Sequence, residues 1–294
     1  MAKKSILDLT EMKRKGEKVS WITAYDWPTA NIAEQAGMDM ILVGDSVGMV
    51  VYGYSGTLPV TMDQMIYHAE AVRRGAPNVF VIGDMPFLSY QKSVEDAIHN
   101  AGRFYKEAGV DAIKLEGGKR VTAQIRGIVD SGMVVIGHIG LTPQSSAQLG
   151  GFKAQGNTAE AAILLLEDAK ACEEAGVSIL LVEGVPAETG KVITEALNIP
   201  VYGIGAGPYT DGQLLIVNDM LGIFQTYTPK FVKKYANLAG EMKRAFETYI
   251  QEIREGKFPT SEYCYNMKAG EADKLKEMLK KSPQGKWKTK RNNP

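Results

Sequence analysis

The chain has 294 residues, of which 45% are hydrophobic and 23% are charged, and its 34 basic side chains balance 34 acidic ones. This is the composition of a soluble globular protein with a large core, and the zero net charge excludes an overall attraction to nucleic acid or to an anionic membrane. Since the chain has no apolar run of the ~20 residues that span a bilayer, no secretory signal, and only two distant cysteines, we expect a cytoplasmic protein that binds small molecules.

Short, continuous apolar runs recur along the chain and predict its β-strands. Because they do not alternate with polar residues, they are typical of strands buried on both faces, as in a parallel sheet covered by helices. In chain order, the predicted strands are VSWITAY around Trp21, MILVG ending at Gly44, VFVIGD ending at Asp84, AIKLE ending at Glu116, MVVIGH ending at His138, ILLVE ending at Glu183, VYGIG ending at Gly205, and LGIF at Phe224.

Amphipathic helical patterns lie between these runs, with Thr61, Ser93 and Thr158 as predicted N-caps. The segments EQAGMDMILVG, KEAGVDAIKLE and EEAGVSILLVE form a weak repeat, in which a helix ends at Ala-Gly and a strand follows. Glycine at that position supplies the positive φ of a helix C-cap. The alternation predicts an α/β fold, a single-domain (β/α)8 TIM barrel, in preference to an open doubly wound sheet.

The end of the chain is predicted to leave the barrel. We expect the last barrel helix to begin at Pro229 and to run through PKFVKKYANLAGEMKRAFETYIQEIREG. The catalytic barrel, with its N-terminal helix, is predicted to span residues 1–267, and residues 268–294 to form a polar, basic extension. A solvated tail is favoured over a nucleic-acid-binding arm for its basic cluster. That cluster consists of Lys286, Lys288, Lys290 and Arg291.

Ionisable residues end or follow five successive predicted strands. In a (β/α)8 barrel the active site lies at the C-terminal ends of the strands. Each residue alone could form a rim ion pair, cap a helix or be a satisfied core histidine. Their convergence favours a functional site, because burying so many charges is costly unless they serve one another or a ligand. They are Asp45 with Ser46, Asp84, Lys114 with Glu116, His138, and Glu183.

Three of these side chains suit a magnesium ion. Asp45, Asp84 and Glu116 are hard oxygen donors from adjacent strands, and Mg²⁺ leaves some coordination positions to water or substrate. A 2-oxo acid could occupy two of those positions through its carboxylate and its keto oxygen. The metal would then stabilise the enolate that forms when a proton leaves the adjacent carbon.

The remaining strand-end residues are assigned to the substrate and to proton transfer. Lys114 is predicted to add positive charge near the developing oxyanion, with His138 as a hydrogen-bond partner. Glu183 stands apart from the metal set, so it is the predicted general base. The glycine-rich segment Gly203–Gly207 lacks the spacing of a dinucleotide fingerprint and is either a ligand-facing loop or a tight βα turn.

Many long motifs of the chain, in order, resemble the ketopantoate hydroxymethyltransferase family. The resemblance extends from about Ile6 to Met267 and is specific because so many segments match. The segments are TAYD (Thr23–Asp26), VGDSVGMVVYGYSGTLPVT (Val43–Thr61), YHAEAVRRGAP ending at Pro77, IKLEGG (Ile113–Gly118), GHIGLTPQS (Gly137–Ser145), GGFKAQG (Gly150–Gly156), and GIGAG with DGQLLI.

The resemblance implies a (β/α)8 barrel that uses Mg²⁺ and transfers a hydroxymethyl group from 5,10-methylenetetrahydrofolate to 3-methyl-2-oxobutanoate. The product would be 2-dehydropantoate, a precursor of pantothenate. The family also implies a homo-oligomer, commonly a decamer. The implied site residues are Asp45, Asp84 and Glu116 as metal ligands, Ser46, Asp84 and Lys114 as oxo-acid contacts, and Glu183 as proton acceptor; Asp45 and His138 complete our substrate-binding set.

Two other functions compete with this interpretation. The first is a Mg²⁺-dependent carbon–carbon lyase of the isocitrate lyase and phosphonopyruvate mutase type. Those enzymes carry a cysteine on a mobile loop, whereas Cys172 lies in a helical pattern and Cys264 lies past the barrel helices. The second is a non-catalytic binding protein, which would need no base at Glu183. Departures from the family at Asn157, GYSGT and FPTSEYCY spare the predicted site residues.

Overall fold

The computed structural model describes residues 3–281, and the chain forms two compact units, Met1–Ala239 and Gly240–Pro294. The first unit contains eight parallel strands that close into a barrel in chain order, with the last strand paired to the first. The predicted (β/α)8 barrel is therefore confirmed. The strands are β1 (Val19–Thr23), β2 (Met40–Val43), β3 (Phe80–Asp84), β4 (Ala112–Glu116), β5 (Val135–Gly140), β6 (Ile179–Glu183), β7 (Val201–Ile204) and β8 (Gly212–Leu215).

Helices separate the strands from β1 to β7, as predicted, and one follows β8, but β7 connects to β8 without a helix. Thr61, Ser93 and Thr158 each accept a hydrogen bond from a backbone N–H in the first turn of the helix that follows, so all three N-caps are confirmed. The helices of the first unit are α1 (Ile6–Lys15), α2 (Trp27–Gln35), α3 (Val47–Val50), α4 (Met62–Gly75), α5 (Val94–Arg103, continued by π-helix over Phe104–Ala108), α6 (Thr122–Asp130), α7 (Ser146–Leu149), α8 (Ala159–Ala175), α9 (Ala187–Ala196) and α10 (Val217–Met220).

The eighth strand lies earlier than predicted. The apolar segment at Phe224 does not form a strand, and the barrel is closed by the segment Gly212–Leu215, which pairs with β1 on one side and β7 on the other. Its Gln213 is exposed, so the segment lacks the continuous apolar pattern of the other strands. Closure of the ring therefore depends on backbone pairing that the side-chain pattern does not reveal.

The predicted start of the long helix at Pro229 is also wrong. The segment 229–237 is irregular, and a helix, α11, spans Leu238–Arg254. Backbone N–H groups of Tyr235 and Leu238 donate to the carbonyls of Met220 and Leu221 instead of forming helical bonds. These bonds to the turn after β8 hold the segment away from a helical conformation.

The second unit consists mainly of the exposed helices α11 and α12 (Glu271–Lys280). The basic cluster predicted at the end of the chain lies outside the described residues, and the boundary predicted after residue 267 stays a prediction. Between residues 3 and 281, no helix has the length and apolar character needed to cross a bilayer.

The barrel interior follows from the twofold alternation of strand side chains. Trp21, Met40, Phe80 and Tyr202 are among the buried residues that fill the lower barrel, and Leu9 of α1 covers them from below. Side chains two positions further along each strand point into the same interior, nearer its C-terminal end. That end is where the predicted site residues lie.

The opposite, N-terminal end of the barrel is closed by three lysine–aspartate pairs. Lys4 contacts Asp39 at 2.8 Å and Lys13 contacts Asp211 at 2.9 Å, while Lys3 pairs in the same way with Asp111 at 2.5 Å. Each aspartate precedes a strand and also accepts a hydrogen bond from the backbone N–H of a neighbouring strand. These contacts attach the N-terminal segment to the barrel. They lie at the end of the barrel opposite the site, the end that serves stability in this fold.

Packing between β3 and its covering helix yields a stability prediction. A Cβ at Gly83 would lie 2.4 Å from the buried ring of Phe104, so we expect Gly83→Ala to lower the free energy of unfolding by about 1–3 kcal/mol. Gly102→Ala is the control, because nothing lies within 4 Å of its Cβ position and alanine favours the helix there. Urea denaturation measures both variants, and equal effects would contradict this packing.

Candidate active site

The strand-end residues converge at the C-terminal mouth of the barrel, as their spacing predicts. Asp84, Lys114, Glu116, His138 and Glu183 lie two or four positions after interior core residues of β3 to β6, so their side chains point inward. Strand pairing places Asp84 beside Lys114 and Glu116 beside His138. Of the five, all but Glu183 are at most 3% exposed.

Lys114 lies at the centre of an acidic cluster. Its Nζ is 2.6 Å from Asp84 Oδ1 and 3.8 Å from Glu116 Oε1. The other Asp84 oxygen accepts the backbone N–H of Asp45 at 3.1 Å, which fixes the turn after β2. Burial alone lowers the pKa of Lys114, but the carboxylates of Asp84, Glu116 and Asp45 outweigh it and raise that pKa. Lys114 is therefore a protonated, fully buried cation.

A glutamine that the sequence did not single out connects this cluster. The Gln144 amide donates to Asp45 Oδ2 at 2.9 Å, and its backbone N–H donates to Glu116 Oε2 at 3.1 Å. Its side-chain oxygen accepts the Tyr90 hydroxyl at 2.7 Å. Neither Gln144 nor Tyr90 ends a strand, so ionisable residues at strand ends could not identify them. The motif GHIGLTPQS, which contains Gln144, was the available signal.

His138 lies between two carboxylates. Its Nε2 is 3.2 Å from Glu183 Oε2, and its Nδ1 is 3.4 Å from Glu116 Oε1. Burial and the nearby Lys114 charge lower the pKa of His138, so the ring is neutral at neutral pH. Because a neutral imidazole has one N–H, it can donate to only one of these two carboxylates.

The site holds more buried negative charge than its own residues neutralise. Burial raises the pKa of Asp45, of Glu116 and, most strongly, of Asp84, despite the neighbouring Lys114. One Glu116 oxygen has no hydrogen-bond partner among the described residues. Three buried carboxylates beside one ammonium group leave an excess of two negative charges when all are ionised, which a divalent cation would neutralise.

The carboxylate oxygens of Asp45, Asp84 and Glu116 are therefore suitable ligands for a hard divalent cation, although they are not arranged around one point in this structure. Among residues 3–281 no three acidic, histidine or cysteine side chains are arranged as ligands around one point. Asp84 contacts Lys114, and Asp45 and Glu116 accept hydrogen bonds from Gln144. Of the three carboxylates, Glu116 keeps one oxygen without a hydrogen bond from the described residues, and this oxygen is available to a cation.

A cavity of about 310 Å³ opens above these residues. Ser46 lies on its wall, and its hydroxyl is 2.8 Å from that of Tyr25, which holds it at the mouth of β2. Glu183 borders the cavity, and its side chain is 15% exposed. Because β6 lies opposite β2 in the ring of eight strands, Glu183 and Ser46 lie on opposite sides of the cavity. The glycine-rich segment predicted after β7 begins the irregular connection to β8 over residues 205–211, in which Gly205 and Gly207 have positive φ, so it is not a βα turn. The size and the convergent polar groups are those of a small-molecule site.

The sequence of the chain matches a family model over most of its length. The model of ketopantoate hydroxymethyltransferase matches residues 3–261. The chain belongs to the ketopantoate hydroxymethyltransferase family. The 3-methyl-2-oxobutanoate hydroxymethyltransferase of Alkaliphilus metalliredigens (strain QYMF) is 63% identical over 265 residues, 90% of this chain and 94% of that protein. The enzyme of the same name from Moorella thermoacetica is 53% identical over 268 residues, 90% of this chain and 100% of that protein.

Solved structures similar to this member of the ketopantoate hydroxymethyltransferase family share its fold. Phosphonopyruvate hydrolase in complex with oxalate and Mg²⁺ aligns with a TM-score of 0.59 at 14% identity, covering 95% of this chain and 97% of that one. A 2,3-dimethylmalate lyase of the PEP mutase/isocitrate lyase superfamily aligns with a TM-score of 0.57 at 17% identity, covering 94% and 96%. The predicted family and enzyme class are confirmed by the sequence matches, and the barrel by these structures.

Proposed function

We propose that this chain transfers a hydroxymethyl group from 5,10-methylenetetrahydrofolate to 3-methyl-2-oxobutanoate and forms 2-dehydropantoate. The observation that supports it most is the buried group of Asp45, Asp84, Lys114 and Glu116, which adjoins His138 and Glu183, within a family whose relatives carry this enzyme name. The reaction needs a site that binds a 2-oxo acid, removes a proton beside its carbonyl and stabilises the resulting negative charge. These residues supply each of those functions.

Glu183 is the proton acceptor in this proposal. It borders the cavity, and its only close polar neighbour among the predicted site residues is His138, at 3.2 Å. A proton passes from the branched carbon of the oxo acid to the Glu183 carboxylate, and the electron pair of that C–H bond forms the enolate. Neither ring nitrogen of His138 is hydrogen-bonded to a residue that the structure describes. A turn of the ring that points the Nε2 proton at Glu183 would let His138 hold the carboxylate in position.

Lys114 stabilises the charge that develops on the oxo acid. Its ammonium is already fixed by Asp84 and requires no reorganisation when negative charge appears on the keto oxygen. Ser46, with Asp45, Asp84 and His138, completes the substrate-binding set. The enolate carbon then forms a bond to the folate methylene carbon as the first of that carbon's two bonds to nitrogen breaks. Water displaces the second nitrogen and becomes the hydroxyl of the product, and the two nitrogens of tetrahydrofolate take up the proton held by Glu183 and one proton of the water.

Asp45, Asp84 and Glu116 would hold Mg²⁺, the divalent ion that suits these oxygen donors. When bound, it supplies a Lewis acid that favours the enolate. Within the same proposal the protein is a cytoplasmic homo-oligomer, a decamer as in the family that it resembles, and it has no nucleic-acid or membrane partner.

Steady-state turnover tests this function. Purified chain with 3-methyl-2-oxobutanoate and 5,10-methylenetetrahydrofolate is expected to form 2-dehydropantoate with Mg²⁺, and product formation should fall to background when a chelator is present and return when Mg²⁺ is added in excess. Mass spectrometry of the acid product measures this. Folded, metal-supplemented protein that forms no product would refute the proposal.

The lyase alternative is disfavoured by the positions of the cysteines. Cys172 is buried within α8, where burial raises the pKa of its thiol to about 12, and it is not among the residues that line the cavity. Since Cys172 is the one cysteine between residues 3 and 239, the described part of the first unit offers no solvent-facing loop thiol. Incubation with 2,3-dimethylmalate or phosphonopyruvate, followed by product analysis, tests the alternative directly.

A further inference from the structure

Asp219 is a buried carboxylate in the same cavity that the reaction scheme above does not use. It lies on α10, directly after β8, is 6% exposed and borders the cavity. Burial raises its pKa to about 6 although the charge of Lys234 acts in the opposite direction, and no described residue donates a hydrogen bond to its side chain. A buried carboxylate without a hydrogen-bond donor, on a residue that borders a cavity, is costly unless a ligand supplies the donors.

Its position relative to the acidic cluster follows from barrel order. The mouth of β8 adjoins that of β1, and Tyr25, which follows β1, contacts Ser46 at 2.8 Å. Burial raises the pKa of Tyr25, and the charges of Asp219 and Asp45 add to that shift, so both carboxylates lie near this phenol. Asp219 therefore lies near the proposed oxo-acid site, beyond Ser46 and Tyr25, where a second reactant would approach.

The cavity wall carries four aromatic residues, three of them on the segment after Asp219 and one, Phe152, on the loop after β5. Phe224 and Phe231 are partly buried, and Phe152 and Tyr227 are half-exposed or more, yet all four border the same cavity. Phe231 is fixed by its contact with the backbone at Gly205, where a Cβ would lie 2.4 Å from the ring. Such walls favour a flat, heteroaromatic ligand, because aromatic rings pack face or edge against one another.

We propose that Asp219 binds the pterin ring of the folate co-substrate. The pyrimidine part of a pterin presents a ring N–H and an adjacent amino group on one edge, and a carboxylate accepts both in a planar, two-bond arrangement. Asp219 follows β8, which is midway in strand order between β6, which carries Glu183, and β2, which Ser46 follows. From there it fixes the ring while the methylene carbon faces the enolate. This inference rests on the proposed function.

The test compares the wild-type chain with Asp219→Asn in the presence of Mg²⁺. We expect the KM for 5,10-methylenetetrahydrofolate to rise by about tenfold or more, since one N–H donor of the pterin would face an amide N–H. The KM for the oxo acid should not change. Exchange of solvent deuterium into the oxo acid, measured without folate, should also be unchanged, because this step needs no pterin. Glu188→Gln, an exposed carboxylate outside the cavity, is the control and should behave as wild type.

A folate analogue that lacks the 2-amino group makes the test independent of the variant. For the wild-type chain, the KM for this analogue should be about tenfold higher than the KM for the natural folate. For Asp219→Asn the two KM values should be similar, because the substitution and the missing amino group remove the same contact. Wild-type activity combined with an unchanged folate KM in Asp219→Asn would overturn the inference, as would an analogue that wild type accepts equally well. Loss of deuterium exchange in a folded variant would also overturn it, by placing Asp219 in the oxo-acid site. An inactive wild-type chain would instead refute the proposed function.

Discussion

Replacing Glu183 by glutamine should lower the turnover number by about 10²–10⁴-fold while the chain still binds the oxo acid. The amide has nearly the same shape but cannot accept the proton, and Glu183 lies outside the cluster of Asp45, Asp84 and Glu116 around Lys114. Turnover is measured as 2-dehydropantoate formation, and oxo-acid binding by calorimetry with Mg²⁺ present. A loss of turnover without a loss of binding separates a base from a ligand-binding residue.

Glu188→Gln serves as the matched control, since it makes the same chemical change at an exposed position on α9, five residues further along the chain. It should retain full turnover. If Glu183→Gln turned over at the wild-type rate, another group would be the proton acceptor. If it lost oxo-acid binding instead, Glu183 would belong to the substrate-binding set.

Replacing Lys114 by methionine should both abolish turnover and destabilise the barrel. The substitution removes the buried ammonium group that contacts Asp84 and Glu116, and breaking a buried ion pair in this way typically costs about 3–5 kcal/mol. In the variant, Asp84 remains buried but has lost its charged partner. The negative charge that develops on the substrate also loses its ammonium neighbour. Urea denaturation and product formation measure the two effects.

Lys119→Met is the control for Lys114→Met. Lys119 follows β4 and pairs with Glu167 at the surface, where both side chains are about half exposed, so its replacement should change neither property. Mg²⁺ should stabilise the Lys114 variant more than it stabilises wild type, because a bound divalent ion would replace the missing positive charge. A Lys114 variant as stable as wild type would show that this ion pair contributes nothing to the fold.

The barrel and its strand-end residues were predictable because two simple patterns agree. Buried parallel strands are continuously apolar, and side chains two apart on a strand share a face. Thus Ile82 in the core predicts the inward direction of Asp84, and Leu181 predicts that of Glu183. The family resemblance, which has its own motifs, assigned the same residues independently.

The features that the sequence did not reveal depend on tertiary contacts. β8 is short and carries the exposed Gln213, so the more apolar segment at Phe224 was mistaken for the closing strand. This error hid Asp219, which follows the true β8 as Asp45 follows β2. Gln144 is neutral and lies in a loop, and its role becomes visible only when its hydrogen bonds to Asp45 and Glu116 are known.

The start of α11 was mispredicted for a related reason. The residues after Pro229 are compatible with a helix, but Phe231 packs against the backbone of Gly205 and borders the cavity. Tyr235 donates its backbone N–H to Met220. Local propensity is weak beside such contacts.

Deuterium exchange at the branched carbon of 3-methyl-2-oxobutanoate, followed by NMR without folate, tests most directly whether this site forms an enolate. We expect the wild-type chain with Mg²⁺ to replace that hydrogen with solvent deuterium, and expect exchange to stop when Mg²⁺ is chelated and in Glu183→Gln. Absence of exchange in wild-type protein that binds both the oxo acid and the metal would contradict the mechanism, whereas equal exchange in Glu183→Gln would contradict its choice of base.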